Sequence, residues 1–201
     1  DRVDRFVANS QNVADRILKY YRREADVIFP PVDTRLFSIS QKPSNYYLAG
    51  GRLVSYKRFD LIVTAFNRLG IPLKIFGTGP LLNELRKQAK PNIEFVGWVD
   101  DRTRAELLRN CIAFLHPHVE DFGITAVEAM ASGRPVIAYA RGGALETVVP
   151  GITGAFIDEQ TWEVLADTII RFQPELFDPL RIRDHASAFD TYHFKDRFER
   201  Y

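Results

Sequence analysis

A single cysteine, a single methionine and no apolar run near membrane-spanning length are what this sequence has least of, and each scarcity excludes something. Cys111 cannot form an internal disulfide and has no second thiol with which to hold zinc, so a disulfide scaffold is excluded. Within Cys111-Ile112-Ala113-Phe114-Leu115 it reads as a buried thiol in a reducing compartment. The longest apolar runs, such as Val136-Ile137-Ala138-Tyr139-Ala140, have strand length, against the roughly 18 residues that a spanning helix needs, so a soluble chain is expected. Charge of one sign is lacking too: 27 Lys and Arg face 26 Asp and Glu, a formal net charge of +1 over 201 residues. Domains that coat nucleic acid carry an evident basic excess, so no nucleic-acid partner is expected. The opening Asp1-Arg2-Val3-Asp4 has neither a starting methionine nor a charged-then-apolar leader, and it reads as cut from something longer.

What is present is a full core. Apolar residues make up 46% and aromatics 12%, too rich for disorder. Short apolar runs alternate with amphipathic stretches, the signature of βα units around a parallel sheet. Strands are expected at 26–29, 46–49, 73–76, 93–96, 112–116, 135–139 and 154–157, with helices over 59–69, 81–89, around Leu107-Leu108, over 125–131 and over 161–172. The fold class is α/β, a Rossmann-like doubly wound parallel sheet with helices on both faces. Residues 1–24 read as the last strand-helix unit of a preceding N-terminal domain, its helix capped by Asn9 or Ser10. Residues 25–201 form the main domain, opening on the strand at 26–29 and closing on two helices, 178–189 and 192–201, that wrap over its edge.

In such a sheet, chemistry belongs to the loops that follow strands. Gly50-Gly51-Arg52-Leu53-Val54-Ser55-Tyr56-Lys57-Arg58 follows one strand and precedes a helix. Its glycines allow close backbone approach, and Arg52 and Lys57 suit a diphosphate, the first as a fork and the second as a mobile point charge. A solvated basic turn explains the segment equally well. Phe76-Gly77-Thr78-Gly79-Pro80 ends another strand, but the third glycine of a dinucleotide fingerprint falls on Leu82 and the segment does not follow the first strand, so a nicotinamide enzyme is disfavoured. A tight turn beside a ligand and a plain turn both remain. The stretch from Pro117 to Gly133 is richest: Glu120 and Glu128 are eight positions apart, with Phe122-Gly123 where loop becomes helix. Free amides of Gly123 and Ile124 suit an anion or sugar hydroxyls, Glu120 can accept from a hexose and Glu128 from a ribose. Two cations between two carboxylates make a nucleotide-sugar site. A glycosidase pair is disfavoured, because Glu128 sits within a helix and no second loop carboxylate faces Glu120.

E-D-F-G-I-x-x-x-E-A-M-A-x-G-x-P-V, with G-R-L-V-x-Y-K-R upstream and Gly142-Gly143-Ala144-x-Glu146-Thr147 downstream, resembles glycosyltransferase family 4, the group 1 retaining enzymes of the two-Rossmann GT-B fold. The likeness covers nearly the whole chain. Phe6-Val7-Ala8-Asn9-Ser10 resembles the end of that family's N-terminal domain, and Ile28-Phe29-Pro30-Pro31-Val32-Asp33 the entry to its donor-binding half. The resemblance implies that Glu120, Arg52 and Lys57 carry catalysis, the cations neutralising the donor diphosphate. It implies donor contacts from Gly51, Arg52, Lys57, Gly77, Val99, Asp101, Glu120, Phe122, Gly123, Ile124 and Glu128, with the base near Gly77 and the Gly97-Trp98-Val99-Asp100-Asp101 loop. Asp101 would pair with the N–H donors of guanine, and the wording is most similar to bacterial and archaeal O-antigen mannosyltransferases, which points to GDP-mannose as donor. No metal and no other cofactor is implied, in keeping with the lack of an Asp-x-Asp motif in a candidate site loop.

The resemblance also implies a glycan or lipid-linked acceptor held by the N-terminal domain, a cytoplasmic setting, and room for peripheral association of the full-length enzyme with the inner face of the plasma membrane. None of His116, His118, His185 and His193 replaces the family's acceptor-side histidine, and His118, in the motif loop, reads as structural or solvent-facing ahead of the alternative that it touches the donor sugar. Cys111, Met130 and the Trp162 stripe read as core. The alternatives are a nucleotide-sugar-binding module without turnover, and a sugar-nucleotide epimerase or a phosphorylase of the same architecture.

Overall fold

The computed structural model describes residues 3–201; Asp1 and Arg2, the start of the expected 1–24 unit, lie outside the described residues. The chain begins with β1 (Val7–Ala8), α1 (Gln11–Tyr21) and β2 (Asp26–Val27), and β1 pairs in parallel with β2. Ser10 caps α1, its side chain accepting from the Val13 amide, and Arg22 closes the helix in the left-handed region at φ 54°.

Six further strands form one parallel sheet: β3 (Tyr47–Gly50), β4 (Leu73–Phe76), β5 (Ile93–Gly97), β6 (Phe114–His116), β7 (Val136–Tyr139) and β8 (Gly154–Ile157), in spatial order β5-β4-β3-β6-β7-β8. Between them run α2 (Phe59–Leu69), α3 (Leu82–Gln88), α4 (Asp101–Asn110), α5 (Ile124–Ala131), α6 (Ala144–Thr147) and α7 (Trp162–Arg171), followed by α8 (Pro179–Ser187) and α9 (Thr191–Arg200). The α/β doubly wound class holds. One expectation fails: the segment 26–29 is not the first strand of the large sheet. It pairs with β1 instead, and Pro30-Pro31, without backbone amides to donate, ends it before it can reach that sheet.

The central strands read as unbroken apolar runs because both their faces are covered. Leu48, Phe114, Val136 and Ala138 point into one layer with α5 and α8, while Tyr47, Ala49, Leu115 and Ile137 point into the other with α2 and α7. Met130 and Cys111 are core, as expected, whereas Trp162 only edges it beneath the Arg68 guanidinium, 4.1 Å from its ring centroid.

Cys111 is fully buried, its thiol turned to the Leu108 carbonyl at 3.2 Å, and burial pushes its pKa up to about 12. A thiol held protonated is a poor nucleophile. Iodoacetamide at pH 8 is therefore expected to leave Cys111 unmodified in the folded chain and to alkylate it fully once urea unfolds the protein, a difference read directly by mass spectrometry.

Candidate functional site

The strand order reverses direction between β3 and β6, the crevice where ligands bind in doubly wound sheets. The loops leaving β3, β4 and β5 are knitted backbone to backbone at this edge. The Gly51 amide donates to Phe76 O at 3.1 Å, the Leu53 amide to Thr78 O at 2.9 Å and the Gly77 amide to Gly97 O at 2.6 Å. Gly77 is required here: its φ is +107°, and a Cβ on it would run into the Gly51 carbonyl.

Two clefts open on this edge. The first, of about 520 Å³, runs from Asn9 and Arg16 past Tyr56 to Glu120, Phe122, Gly123 and Ile124. The second, of about 460 Å³, is lined by Gly51, Arg52, Gly77, Thr78, Trp98 and Val99 among others, with Arg104 at its side. Lys57 joins them. Its ammonium would lie 3.1 Å from a Cβ on Gly51 and is ion-paired with Glu120 Oε1 at 2.5 Å. The structure therefore divides most of the expected site residues into two groups with Lys57 between them.

Glu128 and Asp101 line neither cleft directly. Both are held by Arg104, which reaches Glu128 Oε1 at 3.0 Å and Asp101 Oδ1 at 3.1 Å. Glu128 is buried and Asp101 largely exposed in the first turn of α4, where Asp100 caps the helix by accepting from the Thr103 amide. Burial pushes the Glu128 carboxyl up and Arg104 offsets only part of that. Arg104 had no signal in the sequence, because a lone arginine on an amphipathic helix looks like any solvated charge.

Glu120 is the strongly polarised group. Burial is its largest single influence and pushes the carboxyl up, but His118 and Lys57 together outweigh it and hold it at about 2. Beneath it, His116 and His118 lie against each other with ring centroids 4.1 Å apart and planes tilted by 44°, 2% and 3% exposed. Burial, then the neighbouring His118, push His116 down to about 3, so its ring is neutral at physiological pH. His118 Nε2 lies 3.3 Å from Glu120 Oε1 but off the line of a hydrogen bond. Both nitrogens of His118 and Nε2 of His116 are thus buried without a partner among the described residues. His118 is not solvent-facing.

The loop that carries Glu120 is held from behind. The Gly143 amide donates to Glu120 O at 2.9 Å, and Phe122 packs between Phe29 and Phe189 at centroid distances of 5.6 and 5.5 Å. Glu146, in α6, accepts from the Gln11 and Asn12 amides at 2.7 and 2.9 Å, capping α1 from across the chain. Arg16 of α1 in turn meets Asp121 at 2.5 Å. The residues of the downstream Gly142-Gly143 motif thus brace the Glu120 loop and tie the first helix to it. At the mouth, α5 begins after Gly123, and the amides of Gly123, Ile124 and Thr125 have no acceptor among the described residues.

The parallel α/β sheet has counterparts among known proteins. The family model for glycosyl transferases group 1 matches residues 34–175. The chain belongs to that family. An uncharacterized glycosyltransferase of Methanocaldococcus jannaschii is 26% identical over 172 residues, covering 83% of this chain and 49% of its own length. D-rhamnosyltransferase WbpZ of Pseudomonas aeruginosa is 33% identical over 154 residues, 67% of this chain and 40% of its length. Among solved structures, HepE of Anabaena in complex with UDP and glucose superposes with a TM-score of 0.87 at 22% identity, covering 98% of this chain and 62% of that one. Sucrose-phosphate synthase of Thermosynechococcus elongatus gives 0.86 at 24% identity, covering 99% and 57%. These likenesses establish the GT-B type of fold, and the chain spans about half the length of the curated relatives it matches. No helix among the described residues is long and apolar enough to cross a membrane.

Proposed function

We propose that this chain is the donor-binding half of a retaining hexosyltransferase that takes its sugar from a nucleoside diphosphate, with GDP-mannose as the donor, and that residues 1–24 close the preceding, acceptor-binding domain. The observation that carries the reading is the Lys57–Glu120 pair, set between two clefts at the switch point, beside the unpaired amides that open α5.

In this reading the base lies in the second cleft against Gly77 and Val99, with Asp101 at its edge, and Glu128 takes the ribose. The diphosphate lies over Gly51, within reach of Arg52 and Lys57, and the hexose lies in the first cleft, over Glu120 and the backbone at Phe122, Gly123 and Ile124. As the glycosidic bond breaks, negative charge builds on the leaving diphosphate, where the two cations and the α5 dipole stabilise it in place, and no metal is required. The acceptor, a glycan or a lipid-linked sugar, is supplied by the other half, so this chain alone binds donor without transferring it. A lipid-linked acceptor would bring the full-length cytoplasmic enzyme to the inner face of the plasma membrane.

Support for mannose comes from the O-antigen-like wording of the motif and from a mannosylfructose-phosphate synthase of Agrobacterium fabrum, 29% identical over 165 residues, among the relatives. HepE has been solved with UDP-glucose, so the base is the feature to measure. Calorimetry of the chain against GDP, UDP, ADP, GDP-mannose and UDP-glucose, with and without magnesium, is expected to show metal-independent binding of GDP and GDP-mannose, weakened at least tenfold in Arg52→Ala. Preference for uridine nucleotides would overturn the donor assignment while keeping the site. Equal binding by wild type and Arg52→Ala would overturn the site.

A further inference from the structure

The two adjoining imidazoles beneath Glu120 have no task in the donor reading. Three of their four ring nitrogens are buried and lack a partner among the described residues, a costly arrangement for polar atoms. Glu120 stands beside them, and one ligand atom from each of His116, His118 and Glu120 lies within 4.8 Å of the other two. The His118 Nε2 to Glu120 Oε1 distance of 3.3 Å is about the edge of a tetrahedron around zinc, whose ligand bonds are roughly 2.0–2.2 Å. Gly123, at φ +93°, packs directly on this cluster: a Cβ there would come within 3.3 Å of the buried His116 Nε2, and Glu120, 22% exposed, is the member that reaches the cleft.

We propose that His116, His118 and Glu120 form a binding site for a borderline divalent metal, zinc above all, and that its occupation inhibits the enzyme. Two neutral imidazoles and one carboxylate are a common three-ligand zinc set, with water in the fourth position. The cation now paired with Glu120 is the Lys57 ammonium, and zinc takes the carboxylate from it. Metal capture therefore removes Glu120 and displaces Lys57 together. Metal binding rests on these side chains alone and stands or falls apart from the identity of the donor, whereas the inhibition rests on the roles proposed above for Glu120 and Lys57.

The test is zinc titration of the chelator-treated chain, with cobalt as the spectroscopic probe. One zinc per chain is expected, with cobalt giving the intense visible bands of a four-coordinate site. Affinity should fall at least tenfold in His118→Gln and in Glu120→Gln, each checked for native circular dichroism. It should rise about tenfold in Lys57→Met, because the competing positive charge is gone. That last sign separates this cluster from surface histidines such as His193, whose metal binding would ignore Lys57. Absence of stoichiometric binding, affinity unchanged by the His118 and Glu120 variants, or only the weak spectrum of six-coordinate cobalt would overturn the proposal.

Discussion

Lys57→Ala is expected to weaken nucleoside-diphosphate binding to the chain by about 10- to 100-fold. In an enzyme that joins this half to its acceptor half, it is expected to lower kcat by about 10²- to 10³-fold, or ~3–4 kcal/mol. The effect is large because Lys57 is only 14% exposed and sits between the clefts, where a charge acts through protein rather than water. Its loss also leaves the Glu120 carboxylate, 22% exposed, without its ammonium partner and facing the incoming phosphates as an uncompensated like charge. Calorimetry measures the first part and steady-state kinetics the second. A kcat within threefold of wild type would remove Lys57 from the catalytic reading. Arg52 is more exposed and lines the second cleft, so Arg52→Ala should act more on binding than on turnover.

Gly77→Ala should be the most damaging single-methyl change at this edge. The residue holds φ +107°, and the added Cβ would overlap the Gly51 carbonyl, part of a loop pinned by the Gly51 and Leu53 amides. Backbone strain of about 1–3 kcal/mol adds to an overlap that only backbone movement relieves. The urea midpoint is expected to fall by roughly 1 M, and nucleotide affinity to fall further than the stability loss explains, because the segment that moves is the floor of the second cleft. A change at Gly151, whose Cβ would meet nothing within 4 Å, shares the positive φ but not the clash and serves as the control. Equal losses at the two positions would show that strain alone, and not the approach of the two loops, sets the requirement.

Much of this molecule could be read from its sequence, since local rules were enough. The strand at 136–139 and the helix at 59–69 match within a residue, because an unbroken apolar run and a 3.6-residue stripe report burial on two faces and on one. Spacing singles out Glu120, Gly123 and Glu128, and place between a strand and a helix singles out Gly51 and Lys57; the fold brings Glu120 and Gly123 to one cleft and Gly51 to the other, and turns Glu128 to Arg104. The segment 26–29 had the composition of a strand but not its address: which sheet it joins depends on a partner, β1, that composition does not name. The four-residue α6 was too short for any periodicity to reveal, and with it the role of Glu146 stayed hidden.

What the sequence determined by itself, then, was the fold class, the edge of the sheet where chemistry collects and the residue types gathered there, since those follow from short-range pattern and chain order. Only the tertiary structure decided the pairings. Lys57 and Glu120 are 63 positions apart, Arg104 and Glu128 24, and Glu146 and Gln11 135; the first two pairs meet because the crossovers of a right-twisted parallel sheet bring its strand ends and the helices that follow them to one side, and the third because α1, outside that sheet, docks its first turn on α6. Electrostatics depends on those distances and on burial, so the low pKa of Glu120, the neutral ring of His116 and the unpartnered nitrogens of the two imidazoles exist only in the folded chain.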